Sequence, residues 1–329
     1  MRVVFLTEMG FEGKIPFHHP NMRTEFAWMH ALNADHYNVR SIRQVKDYDH
    51  VFIIFPKGKT FLSAEGNKII DGVNPFSDVL SEDIVHQLRD NGNKKIHYVQ
   101  EGPHWWWNNY EMGDQVHFYN MLSQCDSVFT HNEHDVPYYK GLFPGKEVNV
   151  IPTLMIENKI STMEPKRGDR VIIGGNFSRW YGGFESYIVA SRFGLPIYAQ
   201  SSHAKRDGEE LMDNLTHLPR LMWDDWMLAL KDFKYAVHLM PTVAAGTFSL
   251  NCAYFGIPCI GNIDVDTQLN CHPRLAVNCN NVEEAAELAL ELKNNPEFYE
   301  SCSKEARENY RKHYDIEVWK QKMNAILCR

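Results

Sequence analysis

Short apolar runs alternate with segments whose apolar residues recur at helical spacing along most of the chain. In the first half the runs are 3–6, 51–55, 96–100, 127–130 and 148–151, each of strand length. Between them, Met22, Phe26 and Met29 share one face of a helix expected over 21–32, with Asn21 as its cap. A second helix starts at Ser81 or Asp83 and stops at Asn91-Gly92, and others fall near 115–123 and 135–141. Residues 57–75 read as loop. The alternation restarts with strands at 170–173, 196–199, 235–239 and 257–260, and with helices near 184–193, 223–231 and 247–255. Asn281 caps a helix carrying Val282, Ala285, Ala286, Ala289 and Leu292, stopped by Pro296. Two further helices carry Phe298, Cys302, Ala306 and Tyr310, then Trp319, Met323, Ile326 and Leu327.

Strands alternating with helices build open parallel sheets covered by helices, so the expected class is α/β with two doubly wound, Rossmann-like domains. The expected boundaries are 1–155 and 170–305, joined by a polar linker at 156–169 that contains Pro165 and Gly168, with 306–329 as closing helices. In such sheets ligands bind at the carboxyl ends of the strands, here expected to face each other across a cleft. Gly10 and Gly13, Glu101 and His104, His131 and Glu133, Gly175 and Arg179, and Gly246 and Thr247 all fall at such ends. The stretch 235–261 organises the second half as strand, glycine turn, helix, glycine stop and strand. Gly246-Thr247 offers free backbone N–H groups at a helix start, a ready phosphate site, while Gly256 suits a left-handed C-cap. A plain strand–helix–strand core unit reads equally well from spacing alone.

Composition narrows the class. With 329 residues, 44% hydrophobic and 23% charged, the chain is an ordinary globular protein too long for one core. No segment is long and apolar enough to span a bilayer, and the opening apolar run is too short for a signal peptide, so a cytoplasmic location is expected. The net charge of −8 gives no bulk attraction to nucleic acid, and the first half also carries more acids than bases. The 7 cysteines lack paired spacing and read as reduced thiols. Cys271-His272 with Cys279 lacks zinc-site spacing.

In the second half, Met240-Pro-Thr242, Gly246-Thr-Phe248 and 255–260 follow one another in an order that resembles glycosyltransferases of the GT-B fold, closest to family 4. The segment 170–183 resembles that family's diphosphate-holding loop, and 280–329 its C-terminal helices, the last of which would pack back toward the N-terminal domain. The opening Met1 to Gly13 stretch, Glu101 with His104, and the run 129–132 resemble the T-even-phage glucosyltransferases that modify 5-hydroxymethylcytosine in DNA. The resemblance implies transfer of a hexosyl or pentosyl group from a nucleotide sugar, UDP-sugar favoured, to an acceptor hydroxyl. Hydroxymethylated DNA is one such acceptor, placing the enzyme in host cytoplasm if phage-encoded. It also implies no cofactor beyond the nucleotide-sugar co-substrate, and no metal.

Two departures stand out. Counted back from Gly256, the family's paired glutamates fall on Val243 and Asn251, and its lysine is missing, leaving Arg179 as the diphosphate cation. The expected donor site is therefore Gly10, Gly13, Gly175, Arg179, Gly246, Thr247, Phe248 and Asn251, with Glu101 and His104 as catalytic candidates at the acceptor. Each also has a bland reading: Arg179 as a surface arginine, Glu101 and His104 as loop residues. Trp105, Trp106 and Trp107 can stack on a sugar or base, though three in a row cannot all face one way. Asp264-Val-Asp266 reads as a solvated turn. Family likeness favours retention of anomeric configuration, and the missing glutamates weaken that inference. A transferase for a saccharide or small metabolite, a binding protein that has lost catalysis, and a nucleotide-sugar epimerase are the alternatives.

Overall fold

The computed structural model describes residues 1–7, 11–54, 81–90, 92, 94–100, 102–157, 160–174, 177, 180–200 and 208–329. The chain divides into two compact units. One comprises Met1–His19, Glu25–Ile151 and Lys320–Arg329; the other comprises Pro20–Thr24 and Pro152–Trp319.

The first unit holds β1 (Val3–Thr7), β2 (Gly13–Lys14), α1 (Thr24–Ala31), β3 (Asp35–Asn38), β4 (His50–Ile53), α2 (Ser81–Asp90), β5 (Lys95–Val99), α3 (Met112–Gln124), β6 (Ser127–Thr130), α4 (Val136–Leu142) and β7 (Glu147–Val150). Its sheet runs β2-β3-β1-β4-β5-β6-β7. All neighbours are parallel except the two-residue β2 against β3. Every residue of β1, β4 and β6 is buried, as expected of parallel strands covered on both faces. Leu6, Val51, Ile53, Ile96, Tyr98 and Val128 form one core with Ile84, Leu88, Phe118 and Leu122 from the helices.

The second unit holds β8 (Gly168–Ile173), α5 (Gly183–Ala190), β9 (Ile197–Gln200), β10 (Leu215–Leu218), α6 (Trp223–Leu230), β11 (Phe233–His238), α7 (Thr247–Phe255), β12 (Cys259–Asn262), α8 (Asp266–Cys271), β13 (Ala276–Val277), α9 (Val282–Asn294) and α10 (Pro296–Tyr314). The last helix, α11 (Ile316–Leu327), begins in this unit and ends in the first. The second sheet is wholly parallel, in the order β10-β9-β8-β11-β12-β13. Val171, Ile173, Val237, Ile260, Ala285, Ala289 and Leu292 join its core. Asn281 caps α9 by accepting from the Glu284 N–H, and Asn295 caps α10 from the Phe298 N–H.

Several elements depart from the reading above. Helix α1 begins at Thr24 rather than Asn21, whose side chain accepts from Arg23 Nε at 3.0 Å instead of capping. Residues 22–24 are drawn into pairing with 154–156: Thr24 N–H donates to the Leu154 carbonyl, and Ile156 N–H to that of Met22. Strands β3 and β10 and helix α8 carry too few apolar residues to show a period. Asp266, expected in a solvated turn, starts α8. Among the described residues no helix is long and apolar enough to cross a membrane.

Candidate functional site

In the second unit the carboxyl ends of β8 and β11 meet the start of α7. Gly174 directly follows β8, and the His238 ring occupies the space a side chain there would need: an added Cβ would lie 2.5 Å from His238 Cγ and 2.9 Å from Phe248 Cδ1. His238 ends β11 and sits edge-on to Phe248, with ring centroids 4.9 Å apart. Burial lowers its pKa to about 4, so the ring is neutral at pH 7. The chain beyond β11 is pinned on two sides. Asn262 Nδ2 donates to the Met240 carbonyl at 2.9 Å, and Thr242 Oγ1 donates to that of Trp180 at 2.6 Å.

Helix α7 begins as the glycine turn predicts. Gly246 takes the left-handed conformation at φ 69°, and Gly256 closes the helix at φ 66°. Gly246 must also be bare, because an added Cβ would fall 2.0 Å from Thr267 Oγ1. That hydroxyl donates to the Gly246 carbonyl at 2.7 Å, holding the turn. The first N–H groups of α7 have no partner within the helix. Arg23 arrives beside them: its Nη1 donates to Thr247 Oγ1 at 3.2 Å. Arg23, Gln200, Leu221, Trp223, Trp226, Thr247, Phe248 and Asn251 line one pocket. Asn251, one turn into α7, is 2% exposed. Trp223 Nε1 is shielded from solvent and has no hydrogen-bond partner among the described residues.

The electrostatics at the two ends of α7 differ in sign. At the C-terminus, Arg167 Nη2 donates to the Gly256 carbonyl at 3.3 Å and to Ser303 Oγ at 2.7 Å, a cation against the negative end of the helix dipole. At the N-terminus, Arg23 sets a cation against the positive end. An anion bound there would meet both the guanidinium and the positive end of the helix dipole.

In the first unit the ends of β5 and β6 carry a second polar group. His104 Nδ1 donates to Asp135 Oδ1 at 2.7 Å, with side-chain exposures of 19% and 0%. The Tyr138 ring lies 4.4 Å from that of His104, and His134 lies 5.9 Å away. Nearby at the same strand ends, Gln100 Oε1, His131 Nδ1 and Asp135 Oδ2 are buried with no hydrogen-bond partner among the described residues. Trp105 and Trp106 are half-buried with nearly parallel rings, 9° apart.

Of the expected site residues, Gly246, Thr247, Phe248 and Asn251 come together at α7. His104 lies in the other unit, and Gly13 forms the edge strand β2 against His36. Gly10, Glu101, Gly175 and Arg179 fall outside the described residues, as does the Trp107 side chain. Sequence reasoning missed Arg23, Trp223, Gln200, His238 and Asp135. Arg23 carried no signal, lying about 220 positions from its partner. Asp135 was read as a helix start; it does precede α4, yet its side chain makes no cap bond and turns to His104 instead.

No family model matches the sequence, and no curated protein does. Solved structures do match. An α-glucosyltransferase in complex with UDP and a 13-mer DNA containing a HMU base superposes with a TM-score of 0.66 at 12% identity, over 100% of both chains. Anabaena HepE in complex with UDP and glucose gives 0.66 at 9% identity, over 100% of this chain and 99% of that one. Sucrose-phosphate synthase from Thermosynechococcus elongatus gives 0.61 at 13%, over 88% and 76%. At these identities the likeness establishes the fold: two parallel α/β sheets of the GT-B glycosyltransferase type, as the resemblance in the sequence implied.

Proposed function

We propose that the chain is a glycosyltransferase that moves a sugar from a nucleotide-sugar donor, UDP-sugar favoured, to an acceptor hydroxyl. The observation that carries this reading is the Arg23 guanidinium at the positive end of α7, beside Thr247. Cleaving a nucleotide sugar leaves new negative charge on the diphosphate. Catalysis therefore needs fixed positive groups where that charge develops. Arg23 and the first amides of α7 are such groups, joined by Thr247 Oγ1 as a further donor, and they supply this charge without a metal. Asn251 offers an amide to the hydroxyls of the donor, and the Trp223 and Trp226 rings wall the same pocket. HepE and the α-glucosyltransferase were both solved with UDP, which favours uridine as the base. The second of these carries DNA containing a HMU base, which makes a hydroxymethylated base in DNA the first acceptor to try.

A second reading rests on Val243 and Asn251. Both stand where the resembling family has acids, so a nucleotide-sugar-binding protein without catalysis is the alternative. One experiment separates the two. A panel of UDP-, GDP- and ADP-sugars is screened by thermal shift, and the stabilising donor is then incubated with hydroxymethylcytosine DNA, with saccharides and with water. Transfer or donor hydrolysis, unchanged by EDTA, supports the metal-independent enzyme. A thermal shift without turnover supports the binding protein, and the absence of any shift refutes both.

A further inference from the structure

We infer that Asp135 is a positioning residue that holds His104 in one tautomer, so that the imidazole presents a lone pair at Nε2 to a substrate hydroxyl. The inference rests on the glycosyl-transfer reading for its activity arms, though its first measurement does not need that reading. An ionised carboxylate only accepts hydrogen bonds. The 2.7 Å bond from His104 Nδ1 to Asp135 Oδ1 therefore fixes the proton on Nδ1 and leaves Nε2 as an acceptor. Asp135 is fully shielded, its Oδ1 meets His104, and its Oδ2 has no hydrogen-bond partner among the described residues. His104 retains partial exposure. A buried acid that orients a half-exposed imidazole at the carboxyl end of a parallel sheet is an arrangement that costs desolvation and repays it only by aiming the ring.

Four titratable groups among the described residues face the pair. His134 and Tyr138 lie against the His104 ring, while His131 and Tyr139 feel the Asp135 charge. The hydroxyl that meets Nε2 comes from one of two sources, the acceptor or the donor sugar. If it is the acceptor's, its proton passes to Nε2 as the oxygen lone pair bonds to the anomeric carbon. In the same step the sugar–phosphate C–O bond breaks with its electron pair going to the diphosphate, and the imidazolium is stabilised by Asp135. If it is the donor's, Nε2 accepts a hydrogen bond and takes no proton.

The test begins with ¹⁵N NMR of the histidine side chains in the full chain. The expected result is an Nδ1–H tautomer for His104 in the wild type, and its loss in Asp135→Asn, whose amide can donate to Nδ1. An Nε2–H tautomer in the wild type, or an unchanged one in Asp135→Asn, overturns the inference whatever the protein's activity. Turnover then distinguishes the sources. For an acceptor hydroxyl, His104→Gln and Asp135→Asn cut kcat by 10²-fold or more, with the acidic limb of the pH profile altered and donor KM unchanged; for a donor hydroxyl they raise donor KM, and the effect vanishes with a deoxy sugar. If Asp135→Asn keeps wild-type kcat and KM, the positioning role is refuted. Circular dichroism and the tautomer of Asp135→Glu, which restores a carboxylate, separate loss of aim from loss of fold.

Discussion

Replacing Gly246 by alanine is the sharpest structural perturbation of the proposed donor site. An L-residue at φ 69° costs about 1–2 kcal/mol relative to glycine. The added methyl would also lie 2.0 Å from Thr267 Oγ1 and 2.7 Å from Val265 Cγ1, so Thr267 must rotate away. Rotation breaks its 2.7 Å bond to the Gly246 carbonyl and its 2.8 Å contact with Ser249 Oγ. At about 0.5–1.5 kcal/mol per hydrogen bond, the total loss comes to about 2–5 kcal/mol. Gly208→Ala is the matched control. Gly208 has φ 92° and, among the described residues, nothing within 4 Å of the would-be Cβ, so the backbone cost is the one it is expected to bear. Urea unfolding followed by tryptophan fluorescence should show Gly246→Ala losing at least about 1 kcal/mol more than Gly208→Ala. The first turn of α7 shifts with Gly246, so UDP binding should weaken in that variant and not in the control. Equal losses in the two variants would refute the claim that packing against Thr267 holds this turn.

Gly182→Ala should abolish soluble expression, because its Cβ would lie 1.9 Å from the Leu239 carbonyl oxygen, backbone against backbone; a soluble, cooperatively folding variant would count against the close approach. Stability should also fall steeply in acid. Burial holds His36, His131, His238 and His272 near pKa 4, and His97 near 3, against about 6.5 in the unfolded chain. These groups are neutral when folded, so their contribution is complete above pH 6.5 and is lost as pH falls toward 4 and below. At about 1.4 kcal/mol per pKa unit, each contributes up to about 3–5 kcal/mol, against a whole-domain stability of about 5–15 kcal/mol. Urea midpoints at pH 8, 7, 6 and 5 should be level down to about 7 and then drop; a flat profile to pH 5 would refute the buried neutral histidines.

The α/β class was legible because buried parallel strands such as 3–6 and 51–53 are continuous apolar runs, and because Gly246 and Gly256 punctuate α7 at both ends. The start of α1 was not legible, since Asn21 is a good cap by type and only pairing with 154–156 pulls its segment away. The pocket at the start of α7 was half legible. Thr247, Phe248 and Asn251 share a local motif, whereas Arg23 reaches it through the strand-like pairing of 22–24, which leaves no periodic trace. Asp135 shows the same limit: in sequence it only marks the start of a helix, and only the fold brings His104 within 2.7 Å of it.

The central claim is that Arg23 and the N-terminus of α7 bind the donor's diphosphate, and calorimetric titration tests it most directly. UDP and uridine are each titrated into the wild type and Arg23→Ala. Loss of a charge-assisted hydrogen bond of about 1.5–3 kcal/mol should weaken UDP by roughly 10- to 150-fold while leaving uridine unchanged. Equal UDP affinity in the two proteins, or an equal loss for UDP and uridine, would contradict it.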